Sequence, residues 1–462
     1  MDAAAAAASA AAEQARRREL RERVRIGGSL FVGALIGMAV GSLFDRASLQ
    51  IILTGADGLS YSPFEVEVVY ACGVLGLALG FPVAILSAKL SAMWLCVFGS
   101  VGSTMGFLLL WSATMNHGWY KDKAVLFALY NFIAGHSLAY LYHTSLVINM
   151  KNMKPKIGLA SVALNGPVVI SAVTLWLIVQ HMRLLFLVQL GLSVVASFAG
   201  IAMLRAKKST STRPTFNTAR RRTAADVRAL TTPAYEYAPS DTESLDDVSA
   251  DEVDEPPPPP PTACDREPLA TMERRRALEL WALSWRMQRP MWAFALAAAA
   301  ASPMSTEQYA APELRVALAA LAAILTALYV DAFDAMPRGN VLLFVLCARC
   351  IVLAVAVGDR GLRGIDGALD VSSGMVLGVL WVLIPVIMRE KFGSRRLVYV
   401  WSTTLLVYVV VCAVQTALSL WLFNRHSAGA VCLGIQCPLL ISMFRLALTL
   451  CSMIWSCGLA SY

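Results

Sequence analysis

His136, Tyr140 and His143 recur at i, i+4 and i+7 within one apolar stretch. On a helix this spacing puts all three on one stripe. An imidazole titrates near physiological pH, so such a stripe can bind an anion or relay a proton, with His136 the more central group. Its structural alternative is a ring bonded to a neighbouring carbonyl or Tyr hydroxyl, and His143 is expected nearer the membrane interface. Arg349 and Arg445 also stand inside apolar stretches, where a charge costs about 2.5–3.5 kcal/mol on insertion scales. They could attract a carboxylate, or snorkel, or pair with loop acids. Glu65 and Glu67 open another stretch and are candidates for proton coupling or for pairing with Arg46. Trp381 and Tyr130 offer faces for stacking a planar ligand, although an aromatic in a bundle more often packs. Cys432 and Cys437 are close enough for a turn at Gly434 to bring their Cα atoms within about 7 Å. Both a disulfide and two free thiols remain open. Neither a phosphate-binding Gly-x-x-x-x-Gly-Lys-Ser/Thr loop nor a His-Glu-x-x-His or Gly-x-Ser-x-Gly motif is found, so neither an enzyme nor an ATP-driven pump is expected. No cofactor and no metal are expected either.

The elements that must position these residues are membrane spans. Hydrophobic residues make up 57% and charged residues 15% of the 462 residues, and mean hydropathy is +0.61. Helices are required, because lipid-exposed irregular backbone would leave amide groups unsatisfied. Six apolar segments lie at about 27–45, 65–87, 91–112, 123–149, 157–179 and 183–204. Six more lie at about 290–307, 312–331, 340–358, 371–388, 397–422 and 437–459. The seventh is the softest, because Pro290 and Pro303 bracket it and Ser305 follows.

Four regions result: a basic arm over 1–26, a six-helix bundle over 27–204, a linker over 205–289 and a second bundle over 290–459. Arginines give the arm its charge, and the acids Asp2, Glu13, Glu19 and Glu22 argue against a mitochondrial presequence. Within the linker, a basic opening gives way to an acidic stretch from Asp241 to Glu255 and then to Pro256–Pro261. This composition predicts disorder, and the proline run is a candidate ligand for an SH3 or WW partner. Lys and Arg concentrate in alternate loops, which predicts that both termini and the linker are cytoplasmic. The net charge of +8 is read as topology, not as a nucleic-acid footprint. A multi-pass protein of the plasma membrane or an endomembrane is expected.

Glycines four apart, at Gly33, Gly37 and Gly41, at Gly76 and Gly80, at Gly102 and Gly106, and at Gly374 and Gly378, predict closely packed helices. Six plus six helices around a long loop is the layout of secondary transporters.

Several stretches resemble the nodulin-like branch of the major facilitator superfamily. They are Tyr61-Ser62, Val147 to Met153 with Gly158, Gly378 to Trp381 through Pro385 to Gly393, and Cys432 to Cys437, in that order. Trypanosomatid members of the branch, among them carboxylate carriers, share the alanine bias and long linker. In place of the superfamily's acidic and basic loop between spans two and three, this chain reads Gly80 to Ser91. The corresponding loop of the second half holds Asp331, Asp334 and Arg338.

The resemblance implies an all-α membrane protein of two six-helix bundles. It also implies alternating access for a small polar or anionic metabolite, with a proton as a candidate co-substrate. His136, Tyr140, His143, Trp381, Arg349 and Arg445 are then substrate-site candidates, and His136, Glu65 and Glu67 proton-coupling candidates. A non-transporting scaffold acting through the linker is the alternative.

Overall fold

The computed structural model describes the chain apart from residues 1, 45, 55–58, 88, 179–181, 205–286, 303–311, 334–336, 359–364, 427–435 and 461–462. The described residues belong to one compact unit, formed by Met1–Ala206 and Arg286–Tyr462. Nearly all of the linker, the proline run, Cys432 and the remainder of its loop lie outside them.

Apolar sequence under lipid has one economical solution, the helix, and the described residues follow it. In the first half run α1 (Asp2–Gly41), α2 (Pro63–Ala78), α3 (Ala92–Met115), α4 (Ala124–Asn152), α5 (Ile157–Ile178) and α6 (Met182–Met203). In the second run α7 (287–301), α8 (Pro312–Ala332), α9 (Gly339–Gly358), α10 (Gly367–Ser394), α11 (Arg396–Leu418) and α12 (Gln436–Ala460). Among the described residues ten helices are long and apolar enough to cross a membrane. The α1 helix runs unbroken from Asp2 through the basic arm into the first apolar segment. The α7 helix begins inside the stretch assigned to the linker and ends at 301, short of the expected 307.

Within the first half, α2, α3 and α1 all pack on α4, and α1 also packs on α5 and α6. The expected glycines make these approaches possible. A Cβ at Gly37 would collide with the backbone of Leu164, one at Gly76 with that of Phe132 and His136. In the second half Gly374 and Gly378 bring α10 against the Arg315 and Ala319 carbonyls of α8. The α10 and α11 helices follow one another directly, turning at Gly393, whose φ of 71° is one that side chains resist.

The halves meet along two seams. One pairs α5 with α8 and α10. At the other, the short helix Phe81–Leu86 after α2 and the start of α3 face α11 through a small cluster of Val83, Leu95 and Val398, with Phe81 beside Tyr399 at 5.7 Å.

Candidate functional site

The α4 helix supplies the residues that reach across. Tyr142 and His143 are both 0% exposed, within a helix that carries several other polar residues, among them Asn131, Ser145 and Asn149. The Tyr142 hydroxyl donates to Asn165 Oδ1 of α5 at 2.6 Å and accepts from Trp401 Nε1 of α11 at 3.1 Å. Asn165 Nδ2 donates to Ser161 Oγ at 3.2 Å, and Ser161 Oγ to the Val382 carbonyl of α10 at 2.8 Å. These bonds form one chain that leaves the second half at Trp401, crosses α4 and α5, and returns at Val382. Beside it His143 Nε2 and Ser402 Oγ are 3.2 Å apart, again joining the halves. Gly80 of the turn after α2 makes room for that imidazole, since a Cβ there would meet the ring.

Next to the polar chain lies a block of aromatic rings. Phe294 of α7 packs against Trp401 at 5.0 Å, Trp381 at 5.7 Å and Tyr408 at 5.9 Å. Trp381 and Trp401 are 5.7 Å apart, and Phe44, from the turn after α1, reaches Trp381 at 5.3 Å. All of these pairs are edge-to-face, with planes at 67–85°, the arrangement that aromatic quadrupoles prefer.

Each face of the bundle is fastened separately. On the near face, which carries the connections after α2, α4, α8 and α10, Asp331 closes α8 onto α5. Its two carboxylate oxygens accept from the N–H groups of Gly158 and Leu159 at 2.7 and 2.9 Å. An anion at a helix N-terminus satisfies orphan donors and the helix dipole together. Arg338 pairs with Glu390 at 2.8 Å on the same face. On the far face Arg46 Nε donates to Glu67 at 2.6 Å, and both residues are buried. The Tyr61 hydroxyl donates to the Tyr120 carbonyl at 2.8 Å. Burial, and then the neighbouring Glu65 carboxylate, hold that phenol protonated well above its usual range.

The sequence candidates are distributed among these features. Trp381 joins the aromatic block. His143 is not interfacial but fully buried at the seam. His136 is half-buried, its Nδ1 3.4 Å from the Gly76 carbonyl and its ring between Phe132 and Tyr140; all of these partners belong to its own half. Tyr140 packs on the Val83 cluster. Glu67 is the partner of Arg46, whereas Glu65 forms a capping box with Ser62 at the start of α2. Tyr130 sits 6.3 Å from Tyr120 on the far face.

Arg349 and Arg445 do not snorkel. Arg349 is 1% exposed and donates to Ser373 Oγ at 2.7 Å and to the Ala300 carbonyl. Arg445 donates to the Ser302 carbonyl at 3.0 Å, and Arg315 to the Ala301 carbonyl at 3.1 Å. Three guanidiniums from three helices thus meet the last carbonyls of α7. The last carbonyls of a helix have no intrahelical partner, and buried cations at a helix C-terminus supply one.

Sequence reasoning missed Tyr142, Asn165, Trp401 and Ser402. Asn165 carried a signal, an amide inside an apolar run that must find partners when buried. Tyr142 lay one position off the His stripe.

Neither a family model nor a curated relative matches the chain. Solved structures do. The transporter FucP, of the major facilitator superfamily and in an outward conformation, aligns with a TM-score of 0.54 at 12% identity, over 94% of this chain and 98% of its own. The nucleoside transporter NupG aligns with a TM-score of 0.51 at 12% identity, over 93% and 98%. A mutant form of NupG gives 0.51 at 11%, over 93% and 99%. At such identities the likeness is one of fold, and it spans both halves: the chain has the all-helical, two-bundle fold of the major facilitator superfamily transporters.

Proposed function

We propose that this protein is a secondary carrier that moves a small polar metabolite across a membrane, its two halves rocking about the seam between α4, α5, α10 and α11. The observation that carries the reading is the polar chain from Trp401 through Tyr142, Asn165 and Ser161 to Val382. It ties the halves with neutral hydrogen bonds, each worth about 0.5–1.5 kcal/mol net, so the bonds can break in succession at small individual cost. A permanent interface would gain more from apolar contact. Of the grounds for an anionic solute, Arg349 and Arg445 donate to carbonyls at the end of α7, and the His stripe and the resemblance to carboxylate carriers are the others.

A proton is proposed as coupling ion. Two imidazoles are the candidates: His143, which faces the opposite half, and His136, on the same stripe of α4. The near face is proposed to be cytoplasmic, on the loop charge bias. Protease added to sealed right-side-out cells should then leave a linker epitope intact.

The carrier reading is tested with purified protein in liposomes, by initial uptake of a labelled metabolite panel with and without a pH gradient. Saturable uptake above protein-free liposomes is expected. Its absence for every solute, from protein that melts cooperatively, would contradict the reading.

A further inference from the structure

We propose that the transported solute is a neutral, hydroxylated ring compound of about monosaccharide to nucleoside size, held at the seam by Tyr142, Asn165 and Trp401. Its ring would lie against the block of Phe294, Trp381 and Trp401. This rests on the carrier reading above and narrows it.

The first ground is charge. Six segments carry the polar chain and the aromatic block: 26–44 leading to Phe44, 124–150 of α4, 157–178 of α5, 290–302 of α7, 371–388 of α10 and 397–418 of α11. None of them contains an Asp, Glu, Lys or Arg. The charged groups on neighbouring elements are engaged with one another or with backbone: Asp331 on the N-terminus of α5, Arg46 with Glu67 of α2 beside Cys412 of α11, and Arg315, Arg349 and Arg445 on the end of α7. A charged solute entering this seam would leave water without a fixed counter-charge, which costs several kcal/mol per ion. The titratable groups on the six segments, apart from Tyr and Cys, are His136 and His143. The groups facing His143 are Gly80, Ser402 and Tyr142, all uncharged.

The second ground is the kind of polar group. Tyr142, Ser161, Asn165, Trp401 and Ser402 together present hydroxyl, amide and indole groups, both donors and acceptors. Sugar hydroxyls also donate and accept, so they can replace the existing bonds one for one and leave no group stranded. A seam of aliphatic residues would not discriminate in this way.

The third ground is the aromatic block. Five rings, from Phe44, Phe294, Trp381, Trp401 and Tyr408, interlock edge to face and fill the space beside the polar chain. A flat or chair-shaped ring offers the same dispersion area as the ring it displaces. Trp401 belongs to both systems, since its indole N–H bonds Tyr142 while its ring packs on Phe294. A solute with a ring and hydroxyls engages both of its functions; a small carboxylate or an alkyl amine engages one.

The test uses the full chain in liposomes at pH 7 on both sides, with labelled glucose, mannose, uridine and adenosine set against lactate, succinate and putrescine. Saturable uptake of at least one neutral ring compound is expected. Tyr142→Phe and Trp401→Phe, which keep an aromatic ring and remove the polar atom, should raise its KM about tenfold, the loss of one or two hydrogen bonds. Melting temperatures of both variants should stay within a few degrees of the parent. Sugar against nucleoside uptake identifies the ring. Uptake confined to lactate, succinate or putrescine would overturn this inference and leave the carrier reading standing. Neutral uptake indifferent to both variants would overturn the assigned residues. No uptake of any solute and no solute-dependent shift in melting would overturn the carrier reading and this inference with it.

Discussion

Arg349 shows how far a single residue can be read before its surroundings are known. Its cost inside an apolar segment is visible in the sequence, and so is the requirement for partners. Which partners is not visible, because they are carbonyls of α7 and serines of α10, contributed by segments 23 to 49 positions away. The same holds for Glu65 and Glu67, two neighbours with the same chemistry. One caps a helix and the other neutralises Arg46, and only the direction of each side chain separates them. Replacing Arg349 by Met keeps much of the bulk but leaves the Ala300 carbonyl and two hydroxyls short of a donor. The expected loss is about 1–3 kcal/mol for a stranded buried group, seen as a lower melting temperature in detergent. A melting curve identical to the parent would show that α7 needs no such support. At the start of α2, Ser62→Ala removes one side of the capping box and should cost about 1 kcal/mol. Ser62→Asp, which restores an acceptor, should recover most of it in the same denaturation assay.

At the level of elements, hydropathy placed the spans well because lipid leaves the backbone few choices. It placed α7 poorly. The run Ala295 to Ala301 with one Leu continues the apolar signal, while the helix itself stops at 301, where Ser302 turns and three arginines take the carbonyls. That ending is set by residues in α8, α9 and α12, so no window along the chain could locate it. The glycine spacing was a sounder guide, since close approach needs only that a Cβ be absent. Gly378→Leu should therefore be severe: its first carbon would already overlap the Ala319 carbonyl. Overpacking of this kind costs about 1–3 kcal/mol or more, and a sharp fall in monodisperse protein on size-exclusion chromatography is expected. Gly27, with nothing within 4 Å of its added carbon, should accept Ala with an unchanged elution profile.

For the whole molecule, the two-bundle layout was legible from the count of spans, whereas the seam was not. A cavity wall and a packing face are both apolar helices, and the spacing of His136, Tyr140 and His143 does not tell one from the other. Close packing of α2 on α4 sets His136 against Gly76 and leaves Tyr142 to face the other half. The near-face fastening makes a prediction at this scale. Asp331→Asn removes the charge at the N-terminus of α5 but keeps one acceptor, so the near face should open more readily. Added maleimide should then label a cysteine placed at Ser161 several times faster than in the parent background. Equal labelling rates would assign the closure to other contacts.

Rocking about the seam is the central claim, and paired spin labels test it most directly. One pair, at Ser87 and Lys391, spans the halves on the near face; another, at Asp122 and Gly358, spans them on the far face. Distances are measured in liposomes with and without a saturating transported solute, in a background free of other reactive cysteines. The account predicts opposed changes, one distance lengthening as the other shortens. Two distances that stay fixed in every condition, in protein that still carries solute, would contradict it.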